Sequence, residues 1–231
     1  MAKLQSFQVS KGWYYALMTM LAAILLLRLA QTVGGNSFYW FFNLKTAESF
    51  DNFDVYAPMR KIVEIILFVV AFLISVLYIF VYSKLAILSR KLSTLCAGGF
   101  WLLVVFTIIS ALLVICYNIL PLLVYDESLS AVYRILNVMN NTVFFIQTLL
   151  IMAVCVGIML QGEGRLRTAS VIVMLGALCL MFTNIICQLS GRFLPSDVSL
   201  WMPSLLAIVG YTLAHLLLVI GWARMITKKM S

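Results

Sequence analysis

Six long apolar runs, parted by short intervals rich in charge, glycine or proline, give the chain its pattern. They fall at about 13–33, 61–83, 96–120, 135–160, 168–189 and 200–224. Each supplies the roughly 20 residues that a helix rising about 1.5 Å per residue needs to cross a hydrocarbon core about 30 Å thick. A membrane barrel would instead show short alternating segments. The pattern predicts an all-α fold: a polytopic helical membrane protein with six transmembrane helices, forming a single transmembrane domain over residues 1–231. The first run is longer than a signal-peptide core and no convincing small-residue cleavage site follows it, so it counts as a span.

The intervals sharpen this reading. Gly34 and Gly35 end the first span, and the longest loop, 34–60, carries Phe38, Tyr39, Trp40, Phe41, Phe42, Phe50, Phe53 and Tyr56. Aromatics at that density fit the headgroup belt, so part of the loop is expected to lie on the membrane. Pro58 suits the first turn of the second span. Between the second and third spans, Lys84, Arg90 and Lys91 alternate with Leu85, Leu88, Leu92 and Leu95 at helical spacing. The stretch 84–95 reads as a basic connection, with a short surface helix or a docking site for a cytoplasmic or membrane partner as alternatives. Gly162 and Gly164 flank Glu163 in a tight turn between the fourth and fifth spans.

Polar side chains inside the spans are the candidate chemistry, because hydrocarbon offers them no water. The fourth span holds Asn137, Asn140, Asn141, Thr142, Gln147 and Thr148, and the fifth holds Thr183, Asn184 and Gln188. The third adds Ser110, Tyr117 and Asn118, and the first Arg28 and Gln31. The sixth carries the only histidine, His215, near mid-membrane, with Tyr211 one turn earlier on the same face. An ionisable group at that depth is a functional-site hypothesis by default. Most of this set lies in the half of the membrane away from the termini. Hydrogen bonds between helices would scatter through the depth, whereas a one-sided set fits a polar cavity enclosed by spans four, five and six. The expected cavity residues are His215, Tyr211, Gln147, Asn140, Asn141, Asn184, Gln188 and Asn118. Arg28 and Glu64, at similar depth on spans joined by one loop, form a possible ion pair, with snorkelling of Arg28 as the alternative.

Composition agrees with the pattern. The 231 residues are 64% hydrophobic and 10% charged, against about a quarter charged in soluble domains. The net charge of +8 points to topology rather than to nucleic acid. With the N-terminus placed inside, Lys3, Lys11, Lys84, Arg90, Lys91, Arg165, Arg167, Arg224, Lys228 and Lys229 share one side. Lys45, Arg60, Lys61, Arg134 and Arg192 take the other, and of the acids only Glu163 falls inside. That is the positive-inside asymmetry, with both termini cytoplasmic. The expected setting is a cell membrane, the inner membrane of a bacterium, with the lipid bilayer as the principal partner.

The five cysteines sit within or at the edges of spans without a C-x-x-C pair, so no metal or cofactor is expected and packing accounts for them. Walker A, H-E-x-x-H and G-x-G-x-x-G motifs do not occur, and no serine motif accompanies His215 as an intramembrane protease would require. A histidine-based enzyme therefore lacks its second catalytic group. Two readings stand: a small-solute transporter or the membrane subunit of a transport complex, and a non-catalytic assembly, sensory or scaffolding subunit.

Overall fold

The computed structural model describes residues 4–35, 37, 52–123, 129–193 and 202–229, with backbone alone for 52–58, 60, 118–123, 129–130, 190–193 and 202–203. Of the aromatic loop expected at 34–60, residues 36 and 38–51 lie outside the described residues, whereas 52–60 are not loop but the first turns of a helix. Apolar runs without helix-breaking clusters become helices: α1 Lys11–Leu29, α2 Asn52–Ser89, α3 Thr94–Leu123, α4 Leu129–Gln161, α5 Gly164–Phe193 and α6 Met202–Met225. All six contain a stretch long and apolar enough to cross a membrane. Helices α2 to α5 outrun the spans read from hydropathy because the helical hydrogen-bond ladder continues past the apolar window. Thus α2 begins at Asn52 and takes in Pro58, and α3 continues through Pro121.

Each helix packs against its neighbours in sequence, and α6 returns to α1, so the six close into a ring. The tightest seam joins α5 and α6, where glycine lets the backbones meet. A Cβ on Gly176 would lie 2.9 Å from Leu218 N and 3.0 Å from Ala214 O. One on Gly221 would collide with Val173 and approach Ala169 O to 3.1 Å. Apolar helices in lipid gain little from hydrophobic burial against one another, so close van der Waals approach of this kind is what holds them. Outward, the ring shows large apolar side chains such as Leu26, Phe80, Leu149, Phe182 and Leu213, as a lipid-facing surface requires.

The two chain ends meet. Strand β1, Phe7–Val9, pairs in parallel with β2, Ile226–Lys228, putting Gln8 opposite Thr227. Lys229 N donates to Val9 O at 2.8 Å, and the Ser6 and Thr227 hydroxyls lie 2.7 Å apart. Glu163 N donates to Leu4 O at 3.1 Å, which ties the α4–α5 turn to the same end. That turn needs Gly164, whose φ of +53° is left-handed. Beneath the strands the ring is filled by aromatics from opposite sides. Trp222 of α6 is 5.5 Å from Phe100 of α3 and 6.1 Å from Tyr82 of α2, centroid to centroid.

The stretch 84–95 is no separate surface helix. It continues α2 to Ser89, turns over 90–93 and enters α3 at Thr94. Leu85 and Leu88 are buried, and Lys84 Nζ sits 3.7 Å from the centre of the Trp13 ring. The leucine spacing records packing into the ring, leaving Leu95 as the exposed member.

Candidate functional site

Above the aromatic filling the ring widens into a cavity of about 380 Å³. All six helices line it, not the last three alone. Helix α1 supplies Arg28 and, from the π-helical turn Ala30–Gly34 that follows it, Gln31 and Thr32. A π turn is rare and is frequent at functional sites. Helix α2 adds Ser75, Tyr78 and Tyr82; α3 adds Leu103, Thr107 and Ser110; α4 adds Asn140, Asn141, Phe144, Gln147, Thr148 and Ile151. Helix α5 gives Leu180 and Asn184, and α6 gives Tyr211, His215 and Leu218.

The lining is graded. Toward the termini it ends on Tyr82, Leu103, Ile151 and Leu218, all buried, with Phe100 and Trp222 beneath. Toward the opposite end it becomes polar and more open: Asn141 and Asn184 are half-buried and Asn140 is exposed. The cavity therefore is closed toward the chain ends and extends away from them.

Several hydrogen bonds order its walls. Gln147 Nε2 donates to Thr107 Oγ1 at 3.4 Å across α3 and α4. Thr107 itself donates to Leu103 O at 2.7 Å, and Thr148 to Phe144 O at 2.8 Å, turning both hydroxyls back on their own helices. Tyr211 OH donates to Asn184 Oδ1 at 3.3 Å, linking α6 to α5. The Tyr211 and His215 rings lie nearly parallel, 6.5 Å apart at 20°, as their spacing of four predicts. His215 is 8% exposed, and its Nδ1 is enclosed without a hydrogen-bond partner.

Arg28 carries the only formal charge among the described lining residues. One guanidinium nitrogen donates to Gln31 Oε1 at 2.9 Å, and the group lies 5.8 Å from the centre of the Tyr78 ring. Its Nε is enclosed without a partner. Glu64 does not line the cavity with it. Gln31 and Tyr78 are in contact with Arg28.

Of the eight cavity residues expected from sequence, six line it: His215, Tyr211, Gln147, Asn140, Asn141 and Asn184. Gln188 does not; it is exposed and donates to Asn184 Oδ1 at 3.4 Å, one turn from the wall. The Asn118 side chain lies outside the described residues. Asn137 is also exposed, bonded to Asn141 at 3.5 Å, and Thr183 packs against Gly210 in the α5–α6 seam. Sequence reasoning missed Thr32, Ser75, Tyr78, Tyr82 and Thr107. The signal was present as short helical stripes: 75, 78 and 82 on α2, and 103, 107 and 110 on α3.

Comparisons with protein-family models, with curated proteins and with solved structures find no match to this chain.

Proposed function

We propose that the protein is a small-solute transporter, or the membrane-embedded subunit of one, whose solute occupies the cavity inside the six-helix ring. The observation that carries this reading is a polar cavity of about 380 Å³ enclosed by all six helices and closed at one end. That volume falls within the usual range for small-molecule sites, about 300 to 1,000 Å³. The loop charges support cytoplasmic termini, and on that reading the cavity faces the other side of the membrane in this state. Alternating access would then require the Tyr82–Phe100–Trp222 filling to part while the mouth near Asn140 closes.

Cysteine accessibility tests the reading. In a chain whose five native cysteines are replaced by alanine, single cysteines go in at Asn140, Gln147, His215 and, as a buried control, Ile24. A membrane-impermeant thiol reagent applied from the non-cytoplasmic side is expected to label 140 fastest, then 147 and 215, and to leave 24 untouched. Equal protection of all four positions would mean a dry bundle and would end the transport reading.

The second reading, an assembly, sensory or scaffolding subunit, draws on Asn137 and Gln188, amides exposed on the ring's surface outside the cavity. Such groups in a span suit contact with another membrane protein.

A further inference from the structure

Arg28 gives the cavity a sign. A guanidinium held at this depth is costly unless it is paired or meets water. Among the described lining residues there is no aspartate or glutamate to balance it. Its fixed neighbours are neutral: Gln31 Oε1 accepts one N–H at 2.9 Å, and the Tyr78 ring lies beneath the group at 5.8 Å. Both restrain the guanidinium without removing its charge, and cation–π contact with a tyrosine works at this range. The Nε is enclosed without a partner.

The remaining lining completes a consistent set. Ser110, Asn140 and Asn141 face the same space with hydroxyl and amide groups that can donate hydrogen bonds, whereas Ser75 gives its hydroxyl proton to Ala71 O at 3.0 Å. A cation entering the cavity would meet repulsion from Arg28 that no described lining residue offsets. A neutral solute would leave the charge unbalanced in a medium of low dielectric. An oxyanion satisfies it, and the planar fork of arginine matches a carboxylate or phosphate in bidentate fashion. The cavity has room for an anion of a few heavy atoms together with water, since liquid water takes about 30 Å³ per molecule.

We infer that the solute of this cavity is a small oxyanion, a carboxylate or a phosphate-type group, recognised by Arg28 held between Gln31 and Tyr78. This rests on the cavity being a solute site, as proposed above, and adds the chemical class. The same chemistry arises from a free anion in solution or from the headgroup of an anionic lipid.

The test uses the full chain in nanodiscs of phosphatidylcholine, which carries no net charge. Thermal midpoints are measured against inorganic phosphate, sulfate, acetate and succinate at constant ionic strength, with acetamide and tetramethylammonium as neutral and cationic comparisons. At least one oxyanion is expected to raise the midpoint saturably, while acetamide and tetramethylammonium do not. Arg28→Gln is expected to weaken that binding by roughly tenfold to a hundredfold, the worth of a hydrogen bond to a charged group, and to leave the ligand-free midpoint unchanged or higher. The solute ranking needs no variant, so it decides the matter even where Arg28→Gln fails to fold. A preference for the neutral or cationic solute, no oxyanion response, or an oxyanion response untouched by Arg28→Gln would overturn the inference.

Repeating the titration in phosphatidylglycerol nanodiscs separates the sources. Arg28-dependent stabilisation that competes with phosphate assigns the headgroup; unchanged phosphate binding assigns the free anion. Failure of the underlying reading looks different. A cavity that thiol reagents enter but that shows no oxyanion preference sinks the ligand class alone, whereas a cavity closed to reagents sinks both.

Discussion

The two ends of the ring are built from the same six helices and share one apolar exterior, yet their interiors are opposites. Near the chain ends, Tyr82, Phe100 and Trp222 meet across the axis and two short strands join the termini. Toward the other end, the same helices face one another with Arg28, Asn140, Gln147, Asn184 and His215 around open space. Packing holds the first region, since apolar atoms in contact on every side are what lipid cannot replace. The second region holds polar groups that are only partly satisfied, which is tolerable because the first fixes the helices. Stability is concentrated at one end and chemistry at the other.

The sharpest way to break this contrast is at Trp222, which is fully buried. Trp222→Ala removes the centre of the filling and is expected to cost about 3 to 5 kcal/mol of stability. Trp222→Phe is expected to cost under about 1.5 kcal/mol. It keeps most of the contact and removes an indole N–H that is enclosed without a partner, a group whose burial is itself unfavourable. Thermal melting in detergent reads both. Equal losses for the two variants would show that the ring contacts of Trp222 are not what holds this end.

The glycines allow a finer cut. Gly221→Ala pushes a methyl into Val173 and toward the backbone of α5, with an expected loss of about 1 to 3 kcal/mol. Gly98→Ala, in α3, meets nothing within 4 Å and is expected to gain up to about 1 kcal/mol from helix propensity. Opposite signs in melting temperature support the tight α5–α6 seam. A neutral Gly221→Ala would mean that the two helices stand further apart.

The helices and their polar bias were legible in the sequence because both are local. Apolar length marks a span, and Tyr211 and His215 share a face by spacing alone. Which faces turn inward was less legible where a span carries few polar residues. The amides of α4 drew attention to the last three spans, although Ser75, Tyr78 and Tyr82 form an equally regular stripe on α2. Arg28 illustrates the limit. Its depth was readable, and so was Gln31 one turn on, but depth fits an acidic partner, snorkelling and a cavity equally well; only the fold adds Tyr78. The pairing of β1 with β2 joins opposite ends of the chain through three residues each, too few to leave a periodic signal. The stretch 84–95 differs for the reverse reason: its leucine spacing is helical, but the stretch is the end of α2, a turn and the start of α3.

The smallest expected effect lies in the polar region and tests whether its amides serve solute or structure. Gln147 bonds Thr107 at 3.4 Å, a long contact, and Thr107 already donates to Leu103 O at 2.7 Å. Gln147→Leu therefore strands little. A hydrogen bond between membrane helices averages about 0.6 kcal/mol, and the stability change is expected to stay under about 1 kcal/mol. Access should change more. An isobutyl group at the middle of the cavity replaces a polar amide, so labelling of a cysteine at 215 through the open end of the cavity should slow several-fold while labelling at 140 continues. A loss above about 2 kcal/mol with unaltered labelling would reverse the assignment, making Gln147 a structural tie between α3 and α4 and the polar end a second packed region.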